Sequence, residues 1–292
     1  MKERLHSWDN LKALCIICVL FGHLLSEMPF SPIGSLTLFG IYSWHVPLFM
    51  TIAGRFANFN WKRACCFLAL FAIFRSWFIG VLGIYIFCIP LLQKIQKTSA
   101  KVYATTGLCV LGILFGFVPL PTNFWYISKL VAFAPFFAFG YFRLYEYCKI
   151  KHKIITGITL ALITFLIMPW FDTTLPFAMS GTYFSVTWLH RLVVYVLGIS
   201  WTVWWINIVP NRKVKFFTTL GTLTLGVYLL HDPLVPEVAV LIKPLITATP
   251  APTLTVLLVT VVWIAMLWYP AICLNQTLKF ITQRRQHDTA IK

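Results

Sequence analysis

The chain has 292 residues, of which 59% are hydrophobic and only 11% charged, against about 25% charged in a soluble domain. That excludes an ordinary soluble protein, and the gathering of apolar residues into long runs makes the chain an integral membrane protein. The net charge of +16 excludes nothing by itself. Its distribution, in short basic clusters between apolar runs, is the positive-inside pattern rather than a nucleic-acid footprint.

The first apolar run, Leu11–Leu25, follows MKERLHSWDNLK. No small-residue cleavage site follows it, so it reads as a retained helix. Pro29, Ser31, Pro32 and Gly34 predict a turn, then Leu36–Ala53 a second span and Arg55 to Arg63 a basic stretch. Ala64–Leu92 is too long for one crossing and short for two, and is interrupted by Arg75, Gly80 and Gly83. After Lys94, Lys97 and Lys101 come spans at Val102–Leu120, closed by Pro119, Pro121 and Asn123, and at Phe124–Phe142. Arg143, Lys149, Lys151 and Lys153 form a further basic loop. Ile154–Trp170 spans, Phe171–Thr182 is a loop, and Phe184–Ile208 spans. Past Arg212, Lys213 and Lys215, Phe216–Leu230 spans and ends at His231. Pro233–Pro252 reads as irregular with a short re-entrant helix, Leu254–Leu278 spans, and a basic tail follows.

Placing every basic loop on one side requires 64–92 to be a hairpin. The fold class is then all-α, a helical bundle of about ten transmembrane helices with both termini cytoplasmic. Of the 24 basic residues, only Arg75, Lys129, Arg191 and Lys243 fall deep in the membrane or outside. No repeat or low-complexity tract divides the chain, so 1–292 reads as a single domain in a cell membrane. The eight cysteines are scattered, and the Cys15/Cys18 pair lies inside an apolar helix as packing.

Ionisable residues inside such runs are costly and mark candidate sites. His23, His45, Arg75, His190, Arg191, His231 and Asp232 gather toward the outer half, as a polar cavity open to that face would require. Lys12 and His23 are on one face of the first helix, about 16 Å apart along its axis, and Asp9 is spaced to pair with Lys12. A cation at the inner edge with an imidazole deeper in suits a long acyl donor whose phosphates stay inside. Each residue also has a plainer reading. Lys12 with Asp9 forms a snorkelling pair, His45 bonds a neighbouring helix, and His231/Asp232 end a helix at Pro233. Lys62 and Arg63 are positive-inside charges first and phosphate binders second. No metal-ligand spacing stands out.

Four phrases in order resemble the membrane-bound acyltransferase-3 family, near its fucose-4-O-acetylase-like branch. They are DNLKALCIICVLFGH with Asp9, Lys12 and His23; WHVPLFMTIAGR from Trp44 to Arg55; PFFAFGY from Pro135 to Tyr141; and LGTLTLGVYLLH from Leu220 to His231. The sequence departs from the family pattern at Ala53, Arg55 and Cys66, the last standing where a second arginine after Lys62/Arg63 is expected. The resemblance implies a ten-helix enzyme moving an acyl group, usually acetyl, from cytoplasmic acyl-coenzyme A to a hydroxyl of a cell-surface carbohydrate. It makes Lys12 and His23 the donor-binding and catalytic pair. His45 joins His23 as a catalytic candidate, and Lys62 and Arg63 join Lys12 as donor-binding residues. Asp9, Arg75, His190, Arg191, His231 and Asp232 are supporting or acceptor-binding, with Asp232 or Glu27 orienting an imidazole. The expected partners are the bilayer and a glycan, without nucleic acid and without a metal. A transporter using buried histidines, and an inactive family member, are the alternatives.

Overall fold

The computed structural model describes residues 5–28, 31–118, 125–170 and 188–287. Pro29, the Pro119–Asn123 closure, the 171–182 loop and Lys292 lie outside these. Among the described residues there is no strand. The helices are α1 (His6–Ser26), α2 (Pro32–Tyr42), α3 (His45–Arg55), α4 (Trp61–Phe74), α5 (Trp77–Gln93) and α6 (Thr98–Leu114). After these come α7 (Trp125–Tyr141), α8 (Lys153–Ile167), α9 (Trp188–Ile208), α10 (Lys215–His231), α11 (Val235–Thr247) and α12 (Pro252–His287).

Seven helical stretches among the described residues are long and apolar enough to cross a membrane, and Trp77–Gln93 and Tyr126–Tyr141 are shorter apolar helices. α4, with 14 residues, is about 21 Å long, less than the ~30 Å of a hydrocarbon core. The 64–92 run is two helices, broken at Arg75, whose backbone is left-handed (φ 52°). Gly80 and Gly83 are not the break. They are inside α5, where Gly83 is packed against Leu68 and the Ala64 carbonyl of α4, as a hairpin requires.

The expected second span is also divided, at Ser43–Trp44 between α2 and α3. The cause is Pro47. It has no N–H for the Ser43 carbonyl, and its ring clashes with that group in a continuous helix. The 233–252 stretch is more regular than expected. A 3₁₀ turn, Asp232–Leu234, leads into α11, whose Pro236 falls in the first turn, where a missing N–H is harmless.

The chain forms two compact units. Unit one comprises Met1–Gly34, Ala69–Ser76 and Asn211–Lys292. Its centre is α1 against α10, with α12 packed on both. Leu11, Ala13, Cys15, Ile16, Leu20 and Leu24 of α1 are fully buried with Leu220, Val227 and Leu229 of α10. Cys15 and Cys18 are both buried free thiols, in keeping with a packing role. Helix association in lipid depends on close van der Waals fit rather than on apolar burial, so small residues are placed at crossings. Gly221 of α10 is seated on the Asp9 carbonyl of α1, where any Cβ would collide.

Unit two comprises Ser35–Leu68 and Trp77–Pro210. Here α3 packs on α7 and α7 on α6. Gly54 meets the Phe137 carbonyl and Gly140 meets the Thr51 carbonyl, and Thr51 Oγ1 donates to the Phe136 carbonyl at 3.2 Å. α8 is fixed to α9 by indoles: Trp204 Nε1 donates to the Lys153 carbonyl at 2.7 Å and Trp201 Nε1 to Thr164 Oγ1 at 3.1 Å. The other side of α8 exposes Ile155, Ile158, Leu162, Phe165 and Leu166, a face suited to lipid.

Candidate active site

In unit one, α1 carries three of the candidate site residues singled out from sequence, Asp9, Lys12 and His23, and α10 with the loop before it fixes their positions. The Asn10 amide donates to the Arg212 carbonyl at 3.0 Å and accepts from Thr218 Oγ1 at 2.9 Å. The Ser7 N–H donates to Asn211 Oδ1 at 3.2 Å. This clamp buries Asp9 and Asn10 and leaves Lys12 partly exposed. Lys12 Nζ lies 3.3 Å from Asp9 Oδ1, the pair the i, i+3 spacing predicts.

Thirteen residues further along both helices the pairing recurs. His23 lies in the last turn of α1, and His231 closes α10. Their rings lie 5.1 Å apart between centroids, with His231 Nε2 3.3 Å from His23 Nδ1. The helices therefore run parallel, and the Asn10–Thr218 and His23–His231 contacts are separated by about 20 Å of rise. His231 has no exposed surface. It is packed beside Tyr228 and Trp263.

The bond directions follow from donor and acceptor types. His231 Nδ1 lies 2.6 Å from the Tyr228 carbonyl, which only accepts, so Nδ1 carries the proton. A neutral ring has one N–H, so His231 Nε2 is an acceptor. His23 must then donate from Nδ1, which places its own lone pair at Nε2. In the neutral pair, His231 thus selects the His23 tautomer and orients its ring. An imidazole held this way is a general base or a nucleophile.

Asp232 completes the group. One ligand atom each from His23, His231 and Asp232 lie within 4.8 Å of one another, so Asp232 stands beside the imidazole pair, whereas Glu27 is exposed at the end of α1. Two imidazoles and a carboxylate are a donor set for a small divalent cation. Here the facing nitrogens of the two rings are spent on each other at hydrogen-bond distance.

The other sequence candidates lie elsewhere. Arg75 is exposed at the α4–α5 break. In unit two, His45 is 2% exposed and its Nδ1 donates to the Ile41 carbonyl at 2.9 Å, across the break caused by Pro47. Tyr42 is edge-on to its ring at 4.8 Å. Arg191 has no exposed surface, and its Nη1 donates to the Gly112 carbonyl at 2.7 Å, tying α9 to α6. His190 Nε2 lies 2.9 Å from the Trp170 carbonyl. Lys62 and Arg63 occupy the first turn of α4 over the rings of Trp61 and Phe67. The buried Lys129 lies 4.3 Å from the Trp77 ring centroid. Apart from the exposed Arg75, these are positioned groups, each with a local partner. Sequence reading did not single out Asn10, and it gave His231 only a supporting place at a helix end. The readable sign of Asn10 was an amide in the first turns of an apolar helix, beside Asp9.

A family model described as an acyltransferase domain, acyltransferase-3, matches residues 5–65 and 58–269. Searches of curated proteins and of solved structures return no match. The matched span takes in Asp9, Lys12, His23 and His231, and with the apolar helices it fixes the general class. The chain belongs to the acyltransferase-3 family and is a multi-pass membrane O-acyltransferase.

Proposed function

We propose that the protein moves an acetyl group from cytoplasmic acetyl-coenzyme A to a hydroxyl of a cell-surface carbohydrate, with His23 as the general base. The observation that carries the reading is the His23–His231 contact, which presents a basic Nε2 on a partly exposed ring. His23 Nε2 takes the proton of the acceptor hydroxyl as its oxygen attacks the thioester carbonyl. The tetrahedral oxyanion collapses, the carbon–sulfur bond breaks, and the departing thiolate recovers the proton from Nε2. His231 supports the imidazolium by its contact at Nδ1, and Asp232 adds a negative charge beside it. Lys12, held by Asp9, is placed to meet a donor phosphate, with Lys62 and Arg63 in the same role at the start of α4. His45, whose Nδ1 bonds across a helix break, is better suited to holding the α2–α3 turn than to proton transfer.

We read ten crossings, counting the short helices α4, α5 and α7 with the seven longer stretches. In this reading both termini are cytoplasmic, which the basic loops favour, the membrane is the cell membrane, and no metal or nucleic-acid partner takes part. The test is His23→Ala, checked for membrane insertion and given radiolabelled acetyl-coenzyme A with envelope glycan. Transfer is expected to fall by about 10²–10⁴-fold; a wild-type rate would remove His23 from the mechanism.

A further inference from the structure

Unit two contains a cavity of about 630 Å³, within the range of small-molecule sites. It lies where the C-terminal ends of α3, α5 and α7 meet the first turn of α6. Arg55, Lys101 and Arg143 line it, interspersed with the amides of Asn58, Gln93 and Gln96. Among the described residues lining it there is no carboxylate. The nearby Glu146 is outside the lining and receives the Tyr145 hydroxyl at 3.4 Å.

Cations near helix C-termini have an ordinary explanation, because each end carries about half a negative charge. Three such ends offset only about half of three cations, so the hollow keeps a positive surplus. Arg143 adds a second sign. It is one of two non-glycine residues with left-handed backbone among those described (φ 56°). Such conformations are disfavoured for a side-chain-bearing residue and persist where the surroundings fix them, often at ligand clamps. The turn brings Arg143 over the cavity directly after α7. Two planar guanidiniums, an ammonium and three amides form a donor set that matches phosphate oxygens.

We propose that this cavity is a phosphate-oxyanion site, filled either by the diphosphate of a soluble nucleotide-type ligand or by the headgroup of an anionic phospholipid. The site stands whether or not the acyl donor is coenzyme A, because its test is binding rather than transfer. Purified protein in phosphatidylcholine nanodiscs is titrated with ADP and with inorganic pyrophosphate. In a parallel arm its melting temperature is compared with and without phosphatidic acid in the disc. Binding of either soluble anion assigns a soluble ligand, and a rise with phosphatidic acid alone assigns a headgroup. In either case Lys101→Gln or Arg143→Gln should weaken the interaction about tenfold, while Lys149→Gln, on an exposed position outside the cavity, leaves it unchanged. A variant that loses the wild-type melting temperature in plain discs is replaced by amine labelling of wild-type protein, in which the bound anion must protect Lys101 and not Lys149. Absence of binding by all three anions, equal weakening by Lys149→Gln, or equal labelling of the two lysines would overturn the site.

Discussion

The two compact units each contain one central helix pair, and the pairs are built alike. α1 with α10, and α3 with α7, both run parallel, and in both a glycine meets a carbonyl of the partner helix: Gly221 on Asp9, and Gly54 and Gly140 on Phe137 and Thr51. They differ at their C-terminal ends. The first pair ends in two imidazoles in contact; the second ends in Arg55 and Arg143 around a basic hollow. The same packing device therefore holds an imidazole pair in one unit and a cluster of cations in the other. Glycine contacts make the scaffold, and the last turn of each helix decides the chemistry.

Substitution separates the two parts. Gly221→Leu and Gly140→Leu place a branched side chain against backbone, and each should cost about 3 kcal/mol or more of stability, read as loss of folded protein in detergent. If either were tolerated, that pair would not be held by its glycine. Arg191→Met removes a buried guanidinium and leaves the Gly112 carbonyl without its donor. A loss of about 1–3 kcal/mol of stability is expected, with the acetyl-transfer rate of the folded fraction unchanged. A selective loss of transfer would instead give Arg191 a part in the chemistry. Asn10→Ala breaks the clamp at the N-terminal end of α1 and should lower the melting temperature by the equivalent of about 1 kcal/mol. The lost bonds to Thr218 and Arg212 would then raise KM for the donor through Lys12 more than they change kcat.

The helical membrane class was legible from composition and basic-loop spacing, because length and charge placement are local properties. The four family phrases were legible too, and the structure explains much of their wording as packing. The glycines of IAGR, FFAFGY and LGTLTLG are at helix crossings, and His23 and His231 close their phrases at helix ends. The break before His45 had a sign, Pro47, which removes the hydrogen bond to the Ser43 carbonyl. The break at Arg75 was signalled by the charge that interrupts the apolar run, not by Gly80 and Gly83, which lie inside α5. The partnership of His23 with His231 was not readable, because 208 residues separate them and helix rotation leaves no trace in spacing. The basic cavity was hidden for the same reason. Arg55, Lys101 and Arg143 come from three basic stretches far apart in the sequence, and each alone looks like a positive-inside charge.

The most direct test is a double-mutant cycle on acetyl transfer with His23→Ala, His231→Ala and the double variant, each checked for wild-type insertion and melting. His231→Ala should lower the rate about 10–100-fold, less than His23→Ala, and the double variant should be no slower than His23→Ala alone, because residues that act as a unit are not additive. Losses that multiply, or a His231→Ala protein with the wild-type rate, would contradict the claim that His231 acts by holding His23.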